Sequence, residues 1–127
     1  MKDLGRLLTA MVTPFDANLE VDYKKAAELA NYLVANGSDG LIVCGTTGES
    51  PTLTEEEKLK LLETVVDAVG DKASIVMGTG TNDTRKTIAF TQKVEKIGGA
   101  DAVLVVTPYY NKPPQEAIVE HFRLVAE

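Results

Sequence analysis

The chain has 127 residues, 44% hydrophobic and 25% charged, and its 13 basic and 19 acidic side chains leave a formal net charge of −6. That composition suits a soluble chain with a core of its own and excludes collagen-like, disordered and disulfide-stapled classes. Basic residues occur only as isolated pairs such as Lys24-Lys25 and Arg85-Lys86, so neither nucleic acid nor an anionic membrane surface is an expected partner.

Four short apolar runs, Leu7 to Val12, Leu41 to Cys44, Ile75 to Met77 and Ala102 to Val106, recur about thirty residues apart. Each is too short for a helix and too continuous for a half-solvated strand, so each predicts a parallel strand buried on both faces. Helical spacing fills the gaps. The first stripe is Ala26, Ala27, Leu29, Ala30, Leu33 and Val34, and the second is Leu59, Leu62, Val65, Val66 and Val69. A looser third stripe comprises Ile88, Ala89, Phe90, Val94 and Ile97; the fourth runs through Ala117, Ile118, Val119, Phe122, Leu124 and Val125. Thr54-Glu55-Glu56-Glu57 reads as a capping box, Gly37, Gly70 and Gly98 fall where helices should stop, and Pro113-Pro114 can open the fourth helix.

The pattern is β-α repeated four times in one domain over residues 1–127, without a linker or a second domain. Two α/β architectures accommodate it: a (βα)4 half of a closed (βα)8 barrel, or a flavodoxin-like open sheet of four parallel strands. A complete barrel needs about 250 residues, roughly twice this length.

No apolar run approaches the roughly 20 residues of a membrane span. The segment Met1 to Arg6 carries an early acid and does not read as a secretory signal. A single cysteine, Cys44, cannot form an internal disulfide, so the cytoplasm is the expected compartment.

In both architectures the reactive face lies at the C-terminal ends of the strands. There the chain turns to hydroxyls, glycines and aromatics: Thr13-Pro14, Gly45-Thr46-Thr47-Gly48-Glu49-Ser50, Gly78-Thr79-Gly80-Thr81-Asn82 and Thr107-Pro108-Tyr109-Tyr110-Asn111. The Gly45 to Ser50 loop suits a carboxylate or oxyanion, because glycines let amides face a ligand while adjacent hydroxyls add donors. It lacks the Gly-Lys-Ser/Thr of a phosphate loop, and the Gly78 run has Asp83 where a dinucleotide fingerprint needs its third glycine. Tyr109-Tyr110 could pass a proton beside threonine hydroxyls, or pack at a subunit contact. His121 has no metal-ligand set at useful spacing, Cys44 reads as a buried inert thiol inside the second strand, and no lysine falls within a strand. No metal or other cofactor is expected.

In order and spacing, Thr9 to Phe15 (TAMVTPF), Gly45 to Ser50 (GTTGES) with Pro51-Thr52-Leu53, Gly78 to Asn82 (GTGTN) and Val106 to Asn111 (VTPYYN) resemble the N-terminal half of the dihydrodipicolinate synthase family. The double threonine and the Thr-Pro-Tyr-Tyr run resemble this family more than its sister, the N-acetylneuraminate lyases. The resemblance implies a (βα)8-barrel class I aldolase, in which pyruvate forms a Schiff base with a lysine and condenses with aspartate semialdehyde toward lysine. It implies that Thr46 and Tyr110 belong to a proton relay, with Tyr110 reaching a neighbouring subunit. Thr47, flanked by Gly45 and Gly48, would bind the pyruvate carboxylate. Ser50, Asn82 and Tyr109 match positions around a feedback site for lysine, where Glu55 and Lys58 stand in place of histidines and Lys86 in place of an acid. In the family the Schiff-base lysine follows the fourth βα unit, beyond Glu127. The chain is therefore expected to be inactive by itself, to bind a small carboxylate weakly at most, and to self-assemble through its barrel edges into a homodimer or a tetramer.

Overall fold

The computed structural model describes residues 2–127. Four strands and four helices alternate along the chain: β1 (Leu8–Ala10), α1 (Tyr23–Ala35), β2 (Gly40–Val43), α2 (Glu55–Val69), β3 (Ser74–Gly78), α3 (Thr84–Ile97), β4 (Ala102–Leu104) and α4 (Gln115–Ala126). A short 3-10 turn, Ser50–Thr52, interrupts the connection from β2 to α2.

The sheet is parallel throughout, in the order β1-β2-β3-β4. Leu8 pairs with Gly40, Gly40 with Ser74, and Val76 with Ala102. Every crossover therefore advances one strand in the same direction. Right-handed crossovers then lay all the helices on one face. A flavodoxin-like sheet reverses direction after its first crossover and places helices on both faces. This chain makes no such reversal, so the open doubly wound alternative does not hold and the (βα)4 half-barrel does.

Helix termini follow the local chemistry. Asp22 accepts from the Lys25 N–H at 2.9 Å, and Asp83 accepts from the Arg85 and Lys86 N–H groups at 3.0 and 3.2 Å. The capping box is complete: the Glu57 N–H donates to Thr54 Oγ1 at 3.2 Å and the Thr54 N–H to Glu57 Oε2 at 2.7 Å. The first three helices stop at or just before Gly37, Gly70 and Gly98 as predicted, with positive φ at Gly37 and Gly98 and a right-handed Gly70. Pro114 is the N-cap of α4, so the proline pair precedes the helix rather than forming its first turn.

The core lies between sheet and helices. Leu61, Leu62, Val65 and Val69 of α2, Leu41 of β2 and Ile75 and Met77 of β3 are essentially inaccessible, and Ala26 and Ala30 let α1 approach closely. Each such Leu, Ile or Val side chain contributes about 1.5–3 kcal/mol by burial.

Burial on both faces holds at β3 and nearly so at β2, but not at the outer strands. Leu8–Ala10 and Ala102–Leu104 are shorter than the apolar runs containing them, and Leu7, Val12, Val103, Leu104 and Val106 are exposed. The reason is position, since an edge strand has no neighbour on one side. The fourth helix also differs from expectation. Its fully buried residue is His121, while Val119 and Phe122 of the apolar stripe are exposed. Among the described residues no helix is long and apolar enough to cross a membrane.

At the N-terminal end of the sheet two aspartates perform matching tasks. Asp39, just before β2, accepts from the Arg6 and Leu7 N–H groups, each at 2.8 Å. Asp101, just before β4, accepts from the Ile75 N–H at 2.9 Å and pairs with Lys2 at 2.8 Å. The similar stretches Gly37-Ser38-Asp39 and Gly99-Ala100-Asp101 carry this signal in the sequence. Their place at the bottom of the sheet marks them as stability residues, not catalytic ones.

Candidate functional site

At the C-terminal end of the sheet the hydroxyls divide into two groups. Thr13 Oγ1 donates to the Gly48 carbonyl at 2.7 Å, tying the loop after β1 to the loop after β2. Thr91 Oγ1 donates to Thr79 Oγ1 at 2.9 Å, and Thr81 Oγ1 donates to the Asp83 carbonyl at 2.9 Å. These hydroxyls are spent on holding loops. The sequence placed them on one reactive rim; the structure buries Thr13 and Thr79 away from it, while Thr81 keeps a place in the cleft wall with its hydroxyl engaged.

Thr46, Thr47 and Thr107 remain exposed, and among the described residues neither the amides nor the hydroxyls of Thr46 and Thr47 have a hydrogen-bond partner. Their loop is nonetheless fixed. The Gly48 N–H donates to the Gly45 carbonyl and the Glu49 N–H to the Thr46 carbonyl, each at 3.0 Å. Cys44 and Glu49 bracket the loop in left-handed conformations, with φ of 55° and 56°. Gly45 and Gly48 are buried. A Cβ on Gly48 would lie 3.1 Å from the Met11 carbonyl oxygen and 3.3 Å from Thr13 Oγ1.

The glycines after β3 serve close packing. A Cβ on Gly78 would lie 2.2 Å from the Cys44 carbonyl oxygen, and one on Gly80 would lie 2.3 Å from the Val106 nitrogen. Adjacent strand ends approach so tightly that only hydrogen fits, which accounts for the Gly-Thr-Gly run without any nucleotide.

A cleft of about 330 Å³ opens between these strand ends, and Gly45, Thr46, Ser50 and Tyr109 of the predicted site line it together with Lys58 and Cys44. Thr47, Gly48, Asn82 and Tyr110 do not line it. Tyr110 is 90% exposed and projects from the rim, and Asn82 is engaged with Asn111. Sequence reasoning missed Lys58 as a wall of this cleft; it lies on α2, one turn after the capping box. Its ammonium sits 5.5 Å from the Phe90 ring centroid.

Cys44 lies just beyond β2 rather than inside it, and is 2% exposed. Burial pushes its thiol up to about 12, against a smaller opposing pull from Lys58. A thiol so held stays protonated and unreactive. His121 is 2% exposed and exchanges a 2.9 Å hydrogen bond between Nδ1 and Thr84 Oγ1, joining α4 to the start of α3. Among the described residues no group of His, Cys, Asp and Glu is arranged to hold a metal.

A sequential parallel sheet with helices on one face and glycine- and threonine-rich loops at its C-terminal rim defines a (βα)4 half of a (βα)8 barrel. The chain belongs to the dihydrodipicolinate synthetase family, whose model matches residues 3–127. It is 61% identical over 125 residues to the 4-hydroxy-tetrahydrodipicolinate synthase of Heliobacterium modesticaldum, covering 98% of this chain and 41% of that protein. The Symbiobacterium thermophilum synthase is 59% identical over 127 residues, covering 100% of this chain and 43% of the relative. Among solved structures, dihydrodipicolinate synthase from Bacillus anthracis superposes with a TM-score of 0.95 at 49% identity, over 99% of this chain and 43% of that one. The Cyanidioschyzon merolae enzyme, crystallised with lysine bound, gives 0.93 at 50% identity over 97% of this chain and 42% of that one. The Acinetobacter baumannii enzyme, complexed with pyruvate, gives 0.93 at 35% identity over 98% and 42%. The chain thus spans about two fifths of the length of the relatives it matches.

Proposed function

We propose that these 127 residues form the carboxylate-binding and proton-relay side of a dihydrodipicolinate synthase, an enzyme that condenses pyruvate with aspartate semialdehyde through a lysine Schiff base. The supporting observation is the pair Thr46 and Thr47, whose amides and hydroxyls are uncommitted on an otherwise pinned loop. Thr47, held between Gly45 and Gly48, receives the pyruvate carboxylate. Thr46 and Tyr110 pass the protons that Schiff-base formation and enamine formation require.

The nucleophile comes from outside these residues. Lys58 lines the cleft from α2, its ammonium 5.5 Å from the Phe90 ring centroid. The chain by itself then binds pyruvate weakly and leaves it unactivated. Titrating the labelled chain with pyruvate should shift the Thr46 and Thr47 amide resonances, while reduction with cyanoborohydride should leave the intact mass unchanged. Unshifted amides would remove the carboxylate site, and a reduced pyruvyl adduct would remove the proposed incompetence.

Ser50, Asn82 and Tyr109 are proposed as positions of a lysine feedback site. Glu55, engaged with Lys93, and Lys58 stand there in place of histidines, and Lys86 in place of an acid removes a partner for the lysine ammonium, which weakens feedback.

A second reading concerns assembly. β1 and β4 each present an unpaired edge flanked by exposed Leu7, Val12, Leu104 and Val106. Two copies placed head to tail bury both edges and close an eight-stranded ring, as a homodimer or a tetramer of such pairs. Light scattering should return a multiple of the 13.6 kDa chain mass; the single-chain mass would overturn it.

A further inference from the structure

The turn that carries Tyr110 adopts a conformation its residues disfavour. Tyr110 has φ 70° and Lys112 has φ 49°, so two non-glycine residues within three positions occupy the left-handed region. The Asn111 N–H donates to the Tyr109 carbonyl at 2.8 Å. That bond spans two residues and closes a γ-turn centred on Tyr110. With positive φ at its centre, it is the rarer and more strained of the two γ-turn forms. Packing of the ring does not hold it there, because Tyr110 is 90% exposed. Such strain persists only where surrounding structure over-determines the backbone.

The Asn111 side chain supplies that constraint. Its Nδ2 donates to the Asn82 carbonyl at 3.0 Å, and its Oδ1 accepts from Asn82 Nδ2 at 3.3 Å. Both ends of the amide thus close on one residue in the loop after β3. That anchor is itself fixed. The Thr81 N–H donates to Thr87 Oγ1 and Thr87 Oγ1 donates to the Asp83 carbonyl, each at 3.0 Å, which locks the residues on both sides of Asn82 to α3. Asp83 in turn caps that helix.

We propose that Asn111 is a positioning residue: its amide, clamped on Asn82, holds Tyr110 at the centre of the γ-turn and so presents the phenol beyond the rim. The proposal rests on the reading of Tyr110 as a relay residue, and it assigns Asn82 the role of anchor. The donor end carries the clamp, through the 3.0 Å bond from Asn111 Nδ2 to the Asn82 carbonyl, and the weaker acceptor end adds to it.

The test is NMR on the isotope-labelled 127-residue chain. A residue with positive φ gives a strong intraresidue NOE between its amide and Hα protons, expected at Tyr110 and Lys112. Asn111→Ala removes the clamp, and Asn111→Asp removes its donor; both should abolish the signature at Tyr110. Asn82→Ala deletes only the 3.3 Å bond and keeps the carbonyl acceptor, so the signature should survive. Unchanged Ile75 to Met77 amide shifts report that β3 and its packing are intact in each variant. Retention of the Tyr110 signature in either folded Asn111 variant overturns the proposal. The readout is conformational and does not depend on proton transfer. The Asn111 result therefore stands or falls separately from the relay role of Tyr110.

Discussion

Thr13 Oγ1 donates to the Gly48 carbonyl at 2.7 Å, across 35 residues of sequence, and neither residue is exposed. This bond fixes the back of the loop whose front carries Thr46 and Thr47. Thr13→Val keeps the shape and deletes the donor, leaving a buried carbonyl unsatisfied at a cost of about 1–3 kcal/mol. Urea unfolding should show the unfolding free energy falling by that amount, with a lower midpoint, in Thr13→Val, and Thr13→Ser close to the parent. An unchanged midpoint in Thr13→Val would mean that the loop is held by its own turns alone.

Acid should weaken the bottom of the sheet. The Leu7 and Arg6 N–H groups hold the Asp39 carboxyl below the usual carboxylate range. At Asp101 burial opposes ionisation, yet Lys2 and the Ile75 N–H together bring its carboxyl below that range as well. Both groups bind a proton less readily folded than unfolded. Their contribution is complete above the unfolded carboxylate pKa of about 4 and is lost as pH falls through the lower folded values. Thermal unfolding followed across that window should therefore show a declining midpoint. Asp39→Asn should start lower at neutral pH and decline less steeply in acid; an identical slope would exclude Asp39 as a contributor.

Cys44 should resist modification. Its burial and a thiol pushed up to about 12 leave almost no thiolate at mildly alkaline pH. An aromatic disulfide reagent should label it negligibly in the folded chain and completely in urea. Rapid labelling without denaturant would show that the strand end around Gly78 opens.

Much of the fold was legible because its signals are local. The Thr54 capping box, the alternating short apolar runs and long amphipathic stripes, and the glycines after α1 and α3 each depend on neighbours within a few positions. The motifs around Thr46, Gly78 and Tyr110 were legible for a different reason, since loop chemistry stands out against apolar strands. The burial of His121 was not legible, because a lone histidine among apolar helix residues carries no sign of the Thr84 hydroxyl, 37 residues earlier, that accepts or donates to it.

By itself, then, the sequence determined the number and order of the βα units, the helix caps and the resemblance that names the family. Tertiary structure alone decided the winding, because periodicity is the same for strands covered on one face by helices or on both, and only the order β1-β2-β3-β4 separates the two. It also decided which hydroxyls are free. Thr13 and Thr79 look identical to Thr46 and Thr47 along the chain; hydrogen bonds to Gly48 and Thr91, 35 and 12 residues away, consume the first two and leave the others facing solvent. A hydroxyl's availability is set by what folding brings to it, and that partner lies elsewhere in the sequence.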